Sequence, residues 1–131
     1  MPDEERTEKT GAKLPDAELE VMLAVWQCAP PVTTARLMRI LERSHQWKTP
    51  TVISFLDRLK TKGFLRAERK GREYEYEPLV SREEYVVPLT EDFFRRVHGA
   101  SVYALMDALF RNRPFSDSDA AELLRWLEKQ V

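Results

Sequence analysis

Apolar residues recur at helical spacing over three segments in the first half of the chain, and the spacing then switches to strict alternation. Leu19, Met22, Leu23 and Trp26 stand at i, i+3, i+4 and i+7, which predicts a first helix from a cap at Asp16, just after Pro15, to about Gln27. Pro30-Pro31 ends it. Val32 can begin a short extended piece, and Thr33 or Thr34 can cap a second helix that turns Leu37, Ile40 and Leu41 inward and runs to about Arg43. After a turn over residues 44–48, a third helix takes Thr49 as its cap, Pro50 in the first turn, and Lys62-Gly63 as a cationic last turn with a glycine stop.

Beyond Phe64 the period falls to two. Tyr74 and Tyr76 alternate with Glu73, Glu75 and Glu77, so FLRAERKGREYEYEP reads as a hairpin with Lys70-Gly71 at its turn and Arg69, Lys70 and Arg72 at its tip. Helical spacing then returns. Ser81 with Glu84 matches a capping box, and Tyr85, Leu89, Phe93, Phe94 and Val97 make one long helix that Pro88 bends or restarts at Thr90. Gly99 interrupts the pattern. Ser101 opens a further helix through Phe110, and Ser116 with Asp119 caps a last one bearing Leu123, Leu124 and Leu127.

The order of three helices and a hairpin is that of a winged helix-turn-helix, so the fold expected is mainly α with a small β-hairpin wing. The domains expected are a disordered tail over residues 1–13, a winged helix-turn-helix over 14–80, and a helical dimerisation region over 81–131. The apolar helices after residue 80 lack enough core of their own, which points to a second copy of the chain as their neighbour. The interface residues expected are Phe93, Phe94, Val97, Val102, Leu105, Met106, Leu109, Leu123, Leu124 and Leu127.

Charge sharpens this picture. The net charge is only -1, but residues 32–73 hold 11 Lys/Arg against 4 Asp/Glu, while the segments on either side are each acidic. Segregated positive charge on a groove-reading fold favours an anionic polymer as partner. On the third helix, Val52, Leu56 and Leu59 fall on one side, and Thr51, Ser54, Arg58, Thr61 and Lys62 fall on the other. Small hydroxyl side chains allow close approach to base edges, and an arginine can grip guanine O6 and N7 together. Thr51, Ser54 and Arg58 are therefore the expected base readers, with Lys48, Thr49, Thr61, Lys62, Lys70 and Arg72 on the DNA backbone. Two-fold related lobes would suit a palindromic operator in double-stranded DNA.

Several sequence blocks resemble one family over nearly all of residues 14–131. They are LPDAELEVMLAVW, TVISFLDRLKTKGFL, REYEYEPLVSREEY and FFRRVHGASVYALMDAL. The combination of Thr51-Val52, Ser54, Leu56, Arg58-Leu59 and Lys62-Gly63 with Gly99-Ala100-Ser101 is similar to the penicillinase repressor (BlaI/MecI/CopY-type) family of bacterial transcriptional regulators. That resemblance implies a homodimeric repressor of a β-lactamase or other resistance gene. It also implies relief of repression by proteolysis in the dimerisation region, after signalling from a membrane sensor with a zinc-protease domain. Residues 98–103 contain no Asn-Phe pair of the kind expected at the scissile site, and no cysteine cluster lies near the end of the chain.

Other function classes fit less well. Only two histidines occur, His45 and His98, and neither has a nucleophile or metal-spaced ligands nearby in sequence. Glu83-Glu84 and Glu91-Asp92 diverge on a helix and read as solvent-facing charge, so neither an enzyme nor a metal or cofactor site is expected. A PadR-like ligand-responsive repressor is the alternative among winged helices, and a winged helix that binds protein rather than DNA is another. The single Cys28 suits a packed thiol in a reducing compartment. The polar, acidic start MPDEERTEKT lacks the order of a signal peptide, and the longest uncharged run, residues 21–35, is short and broken by proline. The expectation is a cytoplasmic protein without membrane insertion.

Overall fold

The backbone N–H of Leu14 donates to the hydroxyl of Tyr85 at 2.8 Å, tying the start of the first helix to a helix that begins after the wing. The computed structural model describes residues 13–131, so the tail expected over residues 1–13 lies, but for Lys13, outside the described residues. Helix α1 spans Asp16–Gln27, strand β1 Val32–Thr33, α2 Thr34–Leu41 and α3 Thr49–Thr61. Strands β2 (Leu65–Lys70) and β3 (Glu73–Pro78) follow, then α4 (Arg82–His98), α5 (Val102–Asn112) and α6 (Asp117–Gln130).

Helix α1 packs against both α2 and α3. It therefore buries more than the single stripe read from its spacing: Val21, Met22, Ala24 and Val25 are inaccessible, whereas Leu19 and Trp26 pack at the margin. Its cap position is Pro15, not Asp16, and no side chain bonds the first turn; Asp16 instead places its charge at the positive end of the helix dipole. Thr33 does cap α2, its side chain accepting from the Arg36 N–H. The Lys48 carbonyl accepts from the N–H groups of both Thr51 and Val52, so α3 starts with Lys48 at the cap position and Thr49 already helical.

The end of α3 is closed by two backbone bonds, from Phe64 N to Leu59 O at 2.9 Å and from Gly63 N to Lys60 O at 3.0 Å, with Gly63 at φ +84°. This is the Schellman arrangement, and its usual apolar contact is supplied by Phe64 and Leu59, both fully buried. The glycine stop thus sets the angle at which the chain leaves the third helix for the wing.

The wing is the hairpin of a three-stranded antiparallel sheet, ordered β1-β3-β2. Lys70 pairs with Glu73, so the two-residue turn is Gly71-Arg72, one step later than the turn read from the sequence. Gly71 adopts φ +65° at the first turn position, as a type II′ turn requires. Leu65, Ala67 and Tyr76 face the core, while Arg66 and Glu77 form an ion pair on the solvent side. Val32 and Thr33 pair with Tyr76 and Glu75, completing a winged helix-turn-helix.

Two compact units divide the chain, the first through Leu89 and the second over Thr90–Val131. The first extends past the residue-80 boundary read from the sequence because Tyr85 is buried in its core, with its ring edge-on to Phe64 at 5.6 Å. Ser81 and Glu84 cap α4 reciprocally, and the helix runs from Arg82 with Pro88 inside it, so Pro88 does not restart it at Thr90. In the second unit, Ser101 caps α5, and Ser116 with Asp119 forms a capping box for α6.

Candidate nucleic-acid interface

Helix α3 separates its residues sharply. Val52, Leu56 and Leu59 are fully buried against the lobe, and Thr51, Ser54, Arg58 and Thr61 are exposed. The Arg58 guanidinium lies over the Phe55 ring, 5.9 Å from its centroid. Beside it a shallow pocket is lined by Ser54, Asp57, Arg58, Thr61 and Lys62. Two of the expected base readers, Ser54 and Arg58, therefore share one patch. Thr51 is exposed on the first turn, next to the exposed Lys48 and Thr49.

A second, larger groove of about 590 Å3 runs between the start of α2, the wing-facing side of α3 and the hairpin. Thr33 lines it from β1, Thr34 from the start of α2, Thr49, Ile53, Asp57 and Lys60 from α3, and Arg72 and Tyr74 from the wing. The fold thus joins Thr49 and Arg72 on one concave surface. At the wing tip, Arg69 Nε donates to the Gly71 carbonyl at 3.1 Å and braces the turn. Lys70 pairs loosely with Glu68 at 3.3 Å, both side chains remaining largely exposed.

Two of the residues expected at the DNA backbone are engaged elsewhere. Lys62 Nζ lies 2.5 Å from Oε1 of Glu18, whose side chain is 4% exposed, so its charge is drawn inward toward α1. The Thr61 hydroxyl donates to the Asp57 carbonyl at 3.1 Å, which leaves it an acceptor on that face. A phosphate oxygen needs donors.

Several residues of this surface are not among those the sequence pattern singles out. Ile53 is 40% exposed on the groove side of α3 and offers an apolar contact of the kind thymine methyls take. Asp57 puts a carboxylate on the exposed side of α3, 3.8 Å from Lys60, and Lys60 Nζ lies over the Tyr74 ring. A helical projection of residues 49–61 contains the signal for Ile53, Asp57 and Lys60; the contact with Tyr74 needs the hairpin register. Arg36 and Arg39 of α2 are also exposed.

In the second unit every residue is at least partly exposed. Phe93, Val97, Val102, Leu109, Leu124 and Leu127 are open to solvent, with Val102 at 64% and Leu124 at 59%, and Tyr103 and Trp126 are exposed as well. Phe94, Leu105, Met106 and Leu123 are half-buried. Of the two histidines, His45 stacks on Trp47 and His98 meets the Phe93 ring edge-on.

Comparison with known proteins agrees with the resemblance carried by the sequence blocks. The chain is 26% identical over 117 residues to the penicillinase repressor of Bacillus licheniformis, covering 89% of this chain and 91% of that protein. It is 29% identical over 111 residues to an uncharacterised 16.5 kDa protein of Latilactobacillus sakei, covering 85% and 75% of the two. Among solved structures, the DNA-binding domain of the repressor BlaI matches at 32% identity and a TM-score of 0.49, over 56% of this chain and 88% of that one. The monomeric form of Bacillus licheniformis BlaI in complex with the blaP half-operator matches at 31% identity and a TM-score of 0.48, over 56% and 89%. The penicillinase repressor family model matches residues 14–129, and the chain belongs to that family.

Proposed function

We propose that the protein is a DNA-binding transcriptional repressor that grips a palindromic operator as a homodimer. One observation carries this reading: α3 buries all of its apolar stripe and leaves a hydroxyl- and arginine-bearing face open beside a basic wing tip. In a helix-turn-helix the corresponding helix enters the major groove. Thr51, Ser54 and Arg58 read base edges. Lys48, Thr49, Lys70 and Arg72 hold phosphates on either side, and Lys62 fixes the end of the helix from within through its pair with Glu18.

The second unit joins two copies. Residues from Phe93 to Leu127 that lie open in one chain supply the apolar surface that a dimer would cover. No helix of the described residues is long and apolar enough to cross a membrane, and a cytoplasmic repressor of a β-lactamase or other resistance gene fits the family. A membrane zinc-protease sensor encoded beside the gene would supply the inducing signal. The test is selection of bound duplexes from a random pool, followed by footprinting upstream of the protein's own gene. A two-fold symmetric site with half-sites about one helical turn apart is expected. Recovery of no sequence, with equal affinity for every duplex, would refute base reading.

A further inference from the structure

Arg58 does not stand alone on its helix. Its guanidinium covers the Phe55 ring at 5.9 Å, and Phe55 meets Trp47 edge-on at 5.1 Å and 62°. Trp47 in turn lies flat against His45, at 4.0 Å and 5° between planes, and His45 Nε2 is 3.6 Å from Oε2 of Glu20 on α1. Among the described residues no carboxylate pairs with Arg58, and the adjacent Asp57 leans toward Lys60 instead. The contact that orients this arginine is therefore an aromatic face, held from behind by the turn between α2 and α3.

We propose that Phe55 and Trp47 are positioning residues for base recognition, forming a shelf that presents the Arg58 guanidinium plane to the major groove. This rests on Arg58 as a base reader. A bidentate grip on a guanine edge needs both the plane and the reach of the guanidinium to be set, and a long side chain on an open helix face has neither without support. A ring beneath the cation supplies both while leaving the charge intact, because the quadrupole attracts the guanidinium without neutralising it as a carboxylate would. The shelf leaves all five N–H donors available to DNA. Specificity at one base pair then depends on Trp47, a residue of the turn that need not touch the duplex.

The test compares the full-length protein with Phe55→Leu, Phe55→Tyr, Trp47→Leu and Arg58→Ala on a duplex recovered by selection and on a scrambled duplex of the same length. Phe55→Leu keeps the apolar volume and removes the ring face. It is expected to lower the ratio of specific to non-specific affinity about tenfold and to relax one base position, with the salt slope unchanged. Phe55→Tyr keeps the ring and should retain the ratio, and Trp47→Leu should lower it less than Phe55→Leu does. In an Arg58→Ala background, Phe55→Leu should have no further effect on discrimination. A Phe55→Leu protein that loses affinity equally on both duplexes, or that has the same effect with and without Arg58, would overturn the shelf. If Arg58→Ala relaxes the base preference but Phe55→Leu does not, the shelf alone is refuted. If Arg58→Ala leaves the preference intact, the reading of α3 falls with it. Thermal unfolding of each variant, read alongside, separates a poorly folded sample from a mispositioned arginine.

Discussion

Lys62 and Glu18, 44 residues apart in sequence, meet at 2.5 Å where the end of α3 passes over α1. The Glu18 side chain is almost wholly buried and the Lys62 side chain is 39% exposed, so water reaches mainly the cationic partner. An ionised carboxylate taken out of water needs a close counter-charge, and removing the partner leaves it uncompensated. The pair therefore holds the end of α3 to α1.

Lys62→Met should accordingly act on folding. A destabilisation of about 1–3 kcal/mol is expected, because the buried carboxylate is left unpaired while its neighbourhood stays partly open to solvent. The double variant Glu18→Leu/Lys62→Met should recover most of that loss, since replacing both members of a buried pair with apolar groups is often close to neutral. Urea unfolding midpoints of the two single variants and the double variant measure the coupling directly. Equal and additive losses would show that the two groups do not interact in solution.

The wing tip should behave in the opposite way. Arg72 carries its charge at an exposed turn, and Lys70 is only loosely paired with Glu68. Arg72→Ala should leave the unfolding midpoint almost unchanged. It should weaken binding to specific and scrambled duplexes alike. The slope of log K against log salt should become shallower by about 0.9, since one phosphate fewer is neutralised. Lys62→Met should move that slope less than Arg72→Ala does, because its charge is turned toward Glu18. Fluorescence anisotropy over a salt series on both duplexes distinguishes the two roles.

At Arg58 the charge alone is not enough. Arg58→Lys preserves the positive charge but loses the planar fork that matches guanine O6 and N7, and an ammonium makes a poorer partner for the Phe55 ring. A loss of about 1–3 kcal/mol on the selected duplex is expected, with non-specific affinity and salt slope unchanged. Competition binding against single-base variants of the site would locate the position at which preference relaxes. A lysine variant that binds as tightly and as selectively as the parent would show that Arg58 contributes only its charge.

What was legible in the sequence follows the range of the interactions. Thr33, Ser81 with Glu84, Ser101, and Ser116 with Asp119 were readable as caps because each bonds a backbone group three residues away. Asp16 and Thr49 were misplaced because α1 and α3 begin without any side-chain cap, so no local bond marks their first residue. The alternation of Tyr74 and Tyr76 with glutamates placed the hairpin, yet its turn slipped by one because Lys70 can serve as either a strand or a turn residue. The stripe on α1 was too narrow, since a helix packed on two sides buries residues that a single periodic face omits. The exposed, hydroxyl- and arginine-bearing face of α3 was visible in its projection, but the inward pull on Lys62 and the stack of Trp47, Phe55 and Arg58 depend on contacts between segments. No spacing rule reaches those.

The last prediction concerns the second unit, where exposure and composition conflict. Leu124 and Leu127 lie on α6 and remain open to solvent in a single chain, as do Val102 on α5 and Phe93 and Val97 on α4. Monomeric soluble proteins seldom leave so much apolar surface uncovered. Leu124→Glu removes nothing from a monomer's core, so helix content measured by circular dichroism should be unchanged. A carboxylate placed in an apolar dimer contact would have to be desolvated without a partner, which should raise the dimer dissociation constant by at least about tenfold. Sedimentation velocity across a concentration series reads that shift. Operator affinity should fall with it, because each half-site is then bound independently and the effective concentration supplied by the partner lobe is lost. A Leu124→Glu protein that stays dimeric and binds its operator as the parent does would place the joining surface elsewhere on the chain.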